Sequence, residues 1–121
     1  MKKVILVADD SPTIRKFVTF SLAAKGFKII SATDGMEALE KLPSINADLI
    51  ITDLNMPNVD GFELIKSVRE NSAYDDVPII ILSSLGSEKD IERGLSIGAN
   101  SYLVKPFDPK KINYEVSKYL S

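Results

Sequence analysis

The chain of 121 residues has no cysteine, so disulfide bonds and thiolate chemistry are excluded. It has no histidine either, which removes the commonest general base and the commonest transition-metal ligand. Any chemistry must come from Asp, Glu, Lys, Ser, Thr, Tyr and the backbone. No apolar run approaches the length needed to span a bilayer. The basic opening "KKVILVADD" carries too short an apolar stretch for a signal peptide. Repeats, low-complexity tracts and linkers are also missing. A net charge of −2 gives no general attraction to nucleic acid or membrane, although a local basic face remains compatible with it. A cytoplasmic location, no membrane contact and no direct nucleic-acid binding are therefore expected.

What is present is ordinary for a globular protein: 45% hydrophobic and 26% charged residues. The length suits one domain with a proper core and is too short for two, so a single domain over residues 1–121 is expected. Apolar runs alternate with helical patterns. Val4 to Ala8 is a continuous apolar run and predicts a strand buried on both faces. In "SPTIRKFVTFSLAAKG", Ser11 is a good N-cap, Pro12 suits the first turn and Gly26 suits the position past the end. Ile14, Phe17, Val18 and Leu22 fall on one face of that helix. "FKIISAT" predicts a second strand and "DGMEALEKL" a short helix stopped by Pro43.

The pattern then repeats. Leu49 to Thr52 predicts a strand; a helix over Gly61 to Glu70 turns Phe62, Leu64, Ile65 and Val68 inward. "VPIIILSS" predicts the fourth strand, and a helix over Glu88 to Ile97 ends at Gly98. "SYLV" predicts the fifth strand. Asp108 caps the last helix, with Pro109 in its first turn and Ile112, Val116 and Leu120 on one face. Strand-then-helix units of this kind imply a parallel sheet with helices on both faces and right-handed connections.

In such sheets, ligands bind beyond the carboxyl ends of the strands. Asp9, Asp10, Asp53, Ser83 and Lys105 all fall at expected strand ends. If those strands are neighbours, the side chains meet in one cleft. Carboxylates crowded there repel each other, and a hard dication such as Mg2+ relieves that repulsion through oxygen ligands. A dication, a lysine and a serine hydroxyl together suit a phosphoryl group. Taken singly, each residue has a plain reading: a strand-end Asp is commonly a cap or a solvated loop residue, and Lys-Pro is commonly a turn. Asp10 itself could cap the first helix.

Four motifs in order carry a resemblance: "DD" after the first strand, "DLNMPNVDG" around the third strand end, "LSS" after the fourth and "KPF" after the fifth. The whole chain resembles a response-regulator receiver domain. The resemblance implies an α/β flavodoxin-like (βα)5 fold, doubly wound, with strand order 2-1-3-4-5. It makes Asp53 the phosphoacceptor. Asp10 would ligate Mg2+ directly and Asp9 through water, with Asp53 giving a carboxylate oxygen and Asn55 its backbone carbonyl. Ser83 would hydrogen-bond the phosphoryl group, and Lys105 would pair with a phosphoryl oxygen. The Lys105–Pro106 bond would be cis. Tyr102 would be the switch aromatic, exposed at rest and turned inward on activation. Ser83 stands where many members have Thr, keeping the hydroxyl; Leu85 stands where some fast-hydrolysing relatives have a polar group.

Other functions read less well. A dehalogenase-type phosphatase needs a second Asp two residues past the nucleophile, where this chain has Asn55. A mononucleotide binder needs a Gly/Ser/Thr-rich loop after the first strand, where this chain has "DDSPT". A receiver fold kept only as a scaffold would not need the intact Asp/Asp/Asp/Ser/Lys set. The expected function is a signalling module rather than an enzyme. It would be a monomer phosphorylated by a sensor histidine kinase, with output to a partner protein on the face of helix four, strand five and helix five. Because no further domain follows Leu120, a stand-alone chemotaxis-type regulator is expected; a receiver excised from a longer regulator, or a phosphorelay receiver, is the alternative. Gly94 is expected to loosen helix four, and Lys89, Arg93, Lys110, Lys111 and Lys118 to form a basic patch suited to an acidic helix.

Overall fold

Every expected strand and helix forms in the computed structural model, which describes residues 2–120. Met1 and Ser121, the ends of the expected domain, lie outside the described residues. The strands are β1 (Val4–Ala8), β2 (Lys28–Ala32), β3 (Leu49–Thr52), β4 (Ile79–Ser83) and β5 (Ser101–Val104). The helices are α1 (Pro12–Ala23), α2 (Gly35–Lys41), α3 (Gly61–Arg69), α4 (Glu88–Ser96) and α5 (Pro109–Tyr119). The sheet runs β2-β1-β3-β4-β5, with all pairs parallel. This is the flavodoxin-like order, and β1 and β3 lie side by side at its centre.

The central strands alternate their side chains between two cores, as a period of two requires. Ile5, Val7, Leu49, Ile51, Ile80 and Leu82 pack with Val18 and Leu22 of α1 and Ile112 and Val116 of α5. Leu6, Ala8, Ile50, Ile79 and Ile81 pack on the other face with Ala38, Leu64, Ile65 and Val68 of α2 and α3. Both faces being covered explains why the central strands read as unbroken apolar runs.

Two short 3-10 turns add to the expected elements. One spans Leu42–Ser44, so Pro43 does not stop α2 abruptly; the chain tightens and continues through it. Pro43 sits near the start of that turn, where a missing N–H costs nothing. The other turn, Ser72–Tyr74, is capped by the Asn71 side chain. Close by, Arg69 donates to the carbonyls of Gly98, Tyr74 and Val77 and to Asn100 Oδ1. This half-buried guanidinium ties α3 to the start of β4 and to the turn before β5, at the end of the sheet away from Asp53.

Each helix starts on a short polar side chain. Ser11, Asp34, Asp60, Ser87 and Asp108 accept from the backbone N–H three residues on. At α2, Glu37 also reaches back to the Thr33 N–H at 2.6 Å and pairs with Lys41 at 3.1 Å. The Thr33 N–H, then Lys41, hold the Glu37 carboxyl down at about 2, against an ordinary value of 4.5. Because the folded value is depressed, this stabilisation is complete above the ordinary value and is lost as pH falls toward the folded one. Glu37→Gln should cost about 1 kcal/mol near neutral pH, the figure being kept small by solvent screening. Urea melts of the two proteins should converge as the pH is lowered from about 5 to about 2.

Candidate functional site

The register brings the strand ends to one edge. Ala8 pairs with Thr52, Thr52 with Ile81 and Ser83 with Val104. The residues just past these ends are still pinned by ladder bonds. Asp9 N donates to Ala32 O at 3.1 Å, Asp53 N to Ala8 O at 2.9 Å and Lys105 N to Ser83 O at 2.8 Å. Their side chains therefore leave from rigid backbone.

Asp9, Asp10 and Asp53 converge, with carboxylate oxygens within 4.8 Å of one another. Asp9 is buried, 1% exposed, and Asp53 nearly so at 7%, whereas Asp10 is open to solvent. Lys105 Nζ lies 2.9 Å from Asp9 Oδ2 and 3.2 Å from Asp53 Oδ2. The other Asp9 oxygen accepts from Ser11 N at 2.9 Å, and the other Asp53 oxygen from Leu54 N at 2.7 Å. Burial pushes the Asp53 carboxyl above the ordinary range, and Lys105 pulls against it. Burial alone would lower the Lys105 ammonium, but its bonds to Asp9 and Asp53 outweigh that and raise it. One ammonium thus offsets part of a negative charge shared by three carboxylates.

The remaining expected residues surround this cluster. Asn55 is exposed in the loop leaving β3, and no backbone N–H among the described residues donates to its carbonyl. The Lys105–Pro106 peptide is cis. Ser83 is fully buried, and its hydroxyl accepts from Leu85 N at 3.1 Å. Tyr102 is half-buried on β5, and its hydroxyl donates to the Leu85 carbonyl. Burial raises the Tyr102 phenol, and the Ser83 hydroxyl beside it acts in the other direction. The exposed resting position expected for Tyr102 is thus not the one found. Gly94 gives the reason: a Cβ there would lie 3.2 Å from the tyrosine ring and 2.5 Å from Ile81 Cδ1. Its missing side chain makes room for the ring, so Gly94 is a packing position. Apart from Gly94, α4 buries no residue fully.

The basic patch is dispersed. Arg93 stacks on the Phe62 ring of α3, 3.7 Å from its centroid, and so turns toward α3. Lys118 pairs with Glu115 at 2.8 Å and sits over Tyr114. Lys89, Lys110 and Lys111 remain exposed without an ion pair within 4 Å among the described residues.

Pro57 and Gly61 are turn-type residues expected to shape the loop beyond Asp53; sequence reasoning missed the other contacts that frame the site. The β3–α3 loop is held on one side by Asn58 Nδ2 donating to Asp34 at 2.7 Å and Gly35 N donating to Val59 O at 3.0 Å. On the other side, Gly61 N donates to Leu54 O at 2.9 Å. Asn58 itself has φ 65°, a left-handed conformation that Asn tolerates better than most residues.

The response regulator receiver domain family matches residues 5–117. Chemotaxis protein CheY1 of Helicobacter pylori is 38% identical over 119 residues, covering 96% of this chain and 95% of that protein. The alkaline phosphatase synthesis transcriptional regulatory protein PhoP of Bacillus subtilis is 38% identical over 120 residues, but 49% of it is covered. The probable transcriptional regulator ycf27 of Guillardia theta is covered to 46%, so the chain spans about half the length of several relatives and nearly all of others. Among solved structures, the chemotaxis response regulator CheY4 of Vibrio cholerae superposes with a TM-score of 0.92 at 37% identity, over 98% of this chain and 99% of that one. No helix among the described residues is long and apolar enough to cross a membrane. A family match over nearly the whole length, on a fold that gathers three acids and a lysine at one sheet edge, places the chain among the response regulator receiver domains of two-component signalling.

Proposed function

We propose that Asp53 accepts a phosphoryl group from a sensor histidine kinase, and that this single domain then changes its affinity for a partner protein. The observation that carries the reading is the bridge of Lys105 across Asp9 and Asp53, with Asp10 beside them. An Asp53 oxygen attacks phosphorus, and the O–P bond forms as the N–P bond of the donor histidine breaks. The leaving nitrogen keeps the bonding pair and takes a proton from water. No general base is needed, because the carboxylate is already ionised. Lys105 keeps it so against burial, and is within reach of charge on the transferring oxygens.

The donor set fits Mg2+: oxygen ligands only, and more negative charge than Lys105 neutralises. Asp10 is the exposed member with free oxygens, suited to direct ligation along with Asp53 and the Asn55 carbonyl. Both Asp9 oxygens already accept hydrogen bonds, which suits a role through water. A bound dication would neutralise charge on the phosphoryl oxygens. Asp10→Asn should weaken Mg2+ binding about tenfold or more, the equivalent of about 1.4 kcal/mol. Magnesium titrations followed by amide NMR shifts check this; an unchanged affinity would remove Asp10 from the metal site.

Output would pass through Leu85, whose N–H serves Ser83 and whose carbonyl serves Tyr102. A phosphoryl group on Asp53 offers the Ser83 hydroxyl a charged acceptor. Turning toward it frees the Leu85 N–H, shifts the β4–α4 loop and resets Tyr102 and α4. A tenfold partner preference needs only about 1.4 kcal/mol. The test adds beryllofluoride, a phosphoryl mimic, and follows Tyr102 and α4 by NMR together with partner binding. Unchanged signals with the mimic seated at Asp53 would reject this route.

The end-to-end similarity to CheY1 favours a chemotaxis role for a monomeric domain working in the cytoplasm. The half-length matches to PhoP and ycf27 favour the second reading, a receiver belonging to a longer transcriptional regulator. Deleting the gene separates them: lost directed motility supports the first, altered transcription the second.

A further inference from the structure

We infer that Arg15 is a positioning residue for the metal site: its guanidinium clamps the Asp9–Asp10 peptide and so aims the Asp10 carboxylate. This rests on the Mg2+ reading above. Arg15 Nη1 donates to the Asp9 main-chain oxygen at 2.7 Å. That oxygen belongs to the peptide joining Asp9 to Asp10, so anchoring it fixes the plane from which Asp10 departs. Asp9 needs no such help, because Ser11 N and Lys105 Nζ already hold its two carboxylate oxygens. Asp10 does need it. It is exposed, and its carboxylate accepts no hydrogen bond among the described residues. Backbone direction is what brings it within 4.8 Å of the other two acids.

The location of Arg15 supports this. It stands in the opening turns of α1, where the helix dipole disfavours a cation. Its own N–H is satisfied by the Ser11 carbonyl at 3.0 Å, so the side chain is not required to close the helix. A half-buried arginine held against the dipole is compensated by the carbonyl that it binds.

The two ways Arg15 could matter predict opposite signs. If it acts only as a nearby positive charge, removing it deepens the negative potential and Mg2+ binds more tightly. If it acts as a clamp, removing it lets Asp10 swing and Mg2+ binds more weakly. The experiment titrates Mg2+ into wild type, Arg15→Ala, Arg15→Met and Arg15→Lys, reading amide shifts of Asp10 and Asp53, with thermal melts alongside. Arg15→Met keeps the apolar stem if Arg15→Ala fails to fold. The expected result is Mg2+ affinity about tenfold weaker in the Ala and Met variants, partial recovery with Lys, and closely similar melting temperatures. Equal or tighter Mg2+ binding by folded Ala or Met variants overturns the inference. A wild type that does not bind Mg2+ at all fails the functional reading itself, and so is distinguished from a failure of the clamp.

Discussion

Asp53→Asn should abolish labelling by a small phosphodonor such as acetyl phosphate, while leaving the fold intact. The wild type should take up one phosphoryl group in the presence of Mg2+, through a bond that survives acid and breaks in base. The amide has no anionic oxygen to attack phosphorus, so residual labelling should fall below about 1%, a barrier increase of about 2.7 kcal/mol or more. The neighbouring acids are poor substitutes. Asp9 is buried with both oxygens engaged, and Asp10 lies open at the rim. Stability should not suffer. Burial already disfavours the Asp53 charge, and Lys105 keeps Asp9 at 2.9 Å when Asp53 is neutralised. The mutant should therefore melt within about 1 kcal/mol of wild type. Intact-mass spectra and thermal melts decide both points. Undiminished labelling of a folded mutant would remove Asp53 as the main acceptor.

The same cluster argues against two other chemistries. Asn55, two residues past Asp53, carries an amide and is exposed, so no general acid stands at that position as a dehalogenase-type phosphatase would need. The β1–α1 turn presents Asp9 and Asp10, which would repel a nucleotide phosphate rather than cradle it. On the proposed reading, an accepting carboxylate, a lysine and a dication beside three acids, without an acid catalyst, would suit a phosphoryl group that is taken up rather than passed at once to water.

Much of this was legible because strand ends announce themselves. Val4–Ala8 and Leu49–Thr52 are buried on both faces, so their apolar runs stop where burial stops, at Asp9 and Asp53. The helix caps Ser11 and Asp108 and the glycines past α1 and α4 read equally well, since each is a local backbone requirement. What was hidden depends on contacts distant in sequence. Arg93 was read as part of a partner face, but α3 brings Phe62 beneath it. Arg69 gave no local sign of the carbonyls it gathers from Tyr74, Val77 and Gly98. The resemblance implied an exposed Tyr102 at rest; a glycine on a different element makes room for its ring instead. Residue type and spacing report what a side chain can do, and loop closure decides what it meets.

Gly61→Ala should damage both stability and labelling. Gly61 opens α3, and a Cβ built on it would sit 2.0 Å from the Asp53 carbonyl oxygen and 2.8 Å from Leu54 Cα. Both are backbone atoms, with no flexible side chain to give way. The Gly61 N–H bond to Leu54 O holds the approach closed, and Asn58 with Asp34 pins the far side of the loop. A methyl group must therefore displace the Asp53–Leu54 peptide itself. Overpacking against backbone should cost about 3 kcal/mol. In a domain of this size that lowers the melting temperature by about 10 °C. The displaced peptide carries Asp53, the proposed acceptor, so labelling of the folded fraction should slow about tenfold or more, because small misplacements of a reacting group are expensive. Gly26→Ala supplies the contrast. Gly26 has φ 93° with nothing within 4 Å of a built Cβ, so alanine there meets backbone strain and no neighbour. That variant should lose about 1–2 kcal/mol and label at the wild-type rate. Thermal melts and labelling kinetics of the pair separate general destabilisation from misplacement. If Gly61→Ala melts and labels like wild type, the close approach of α3 does not position Asp53.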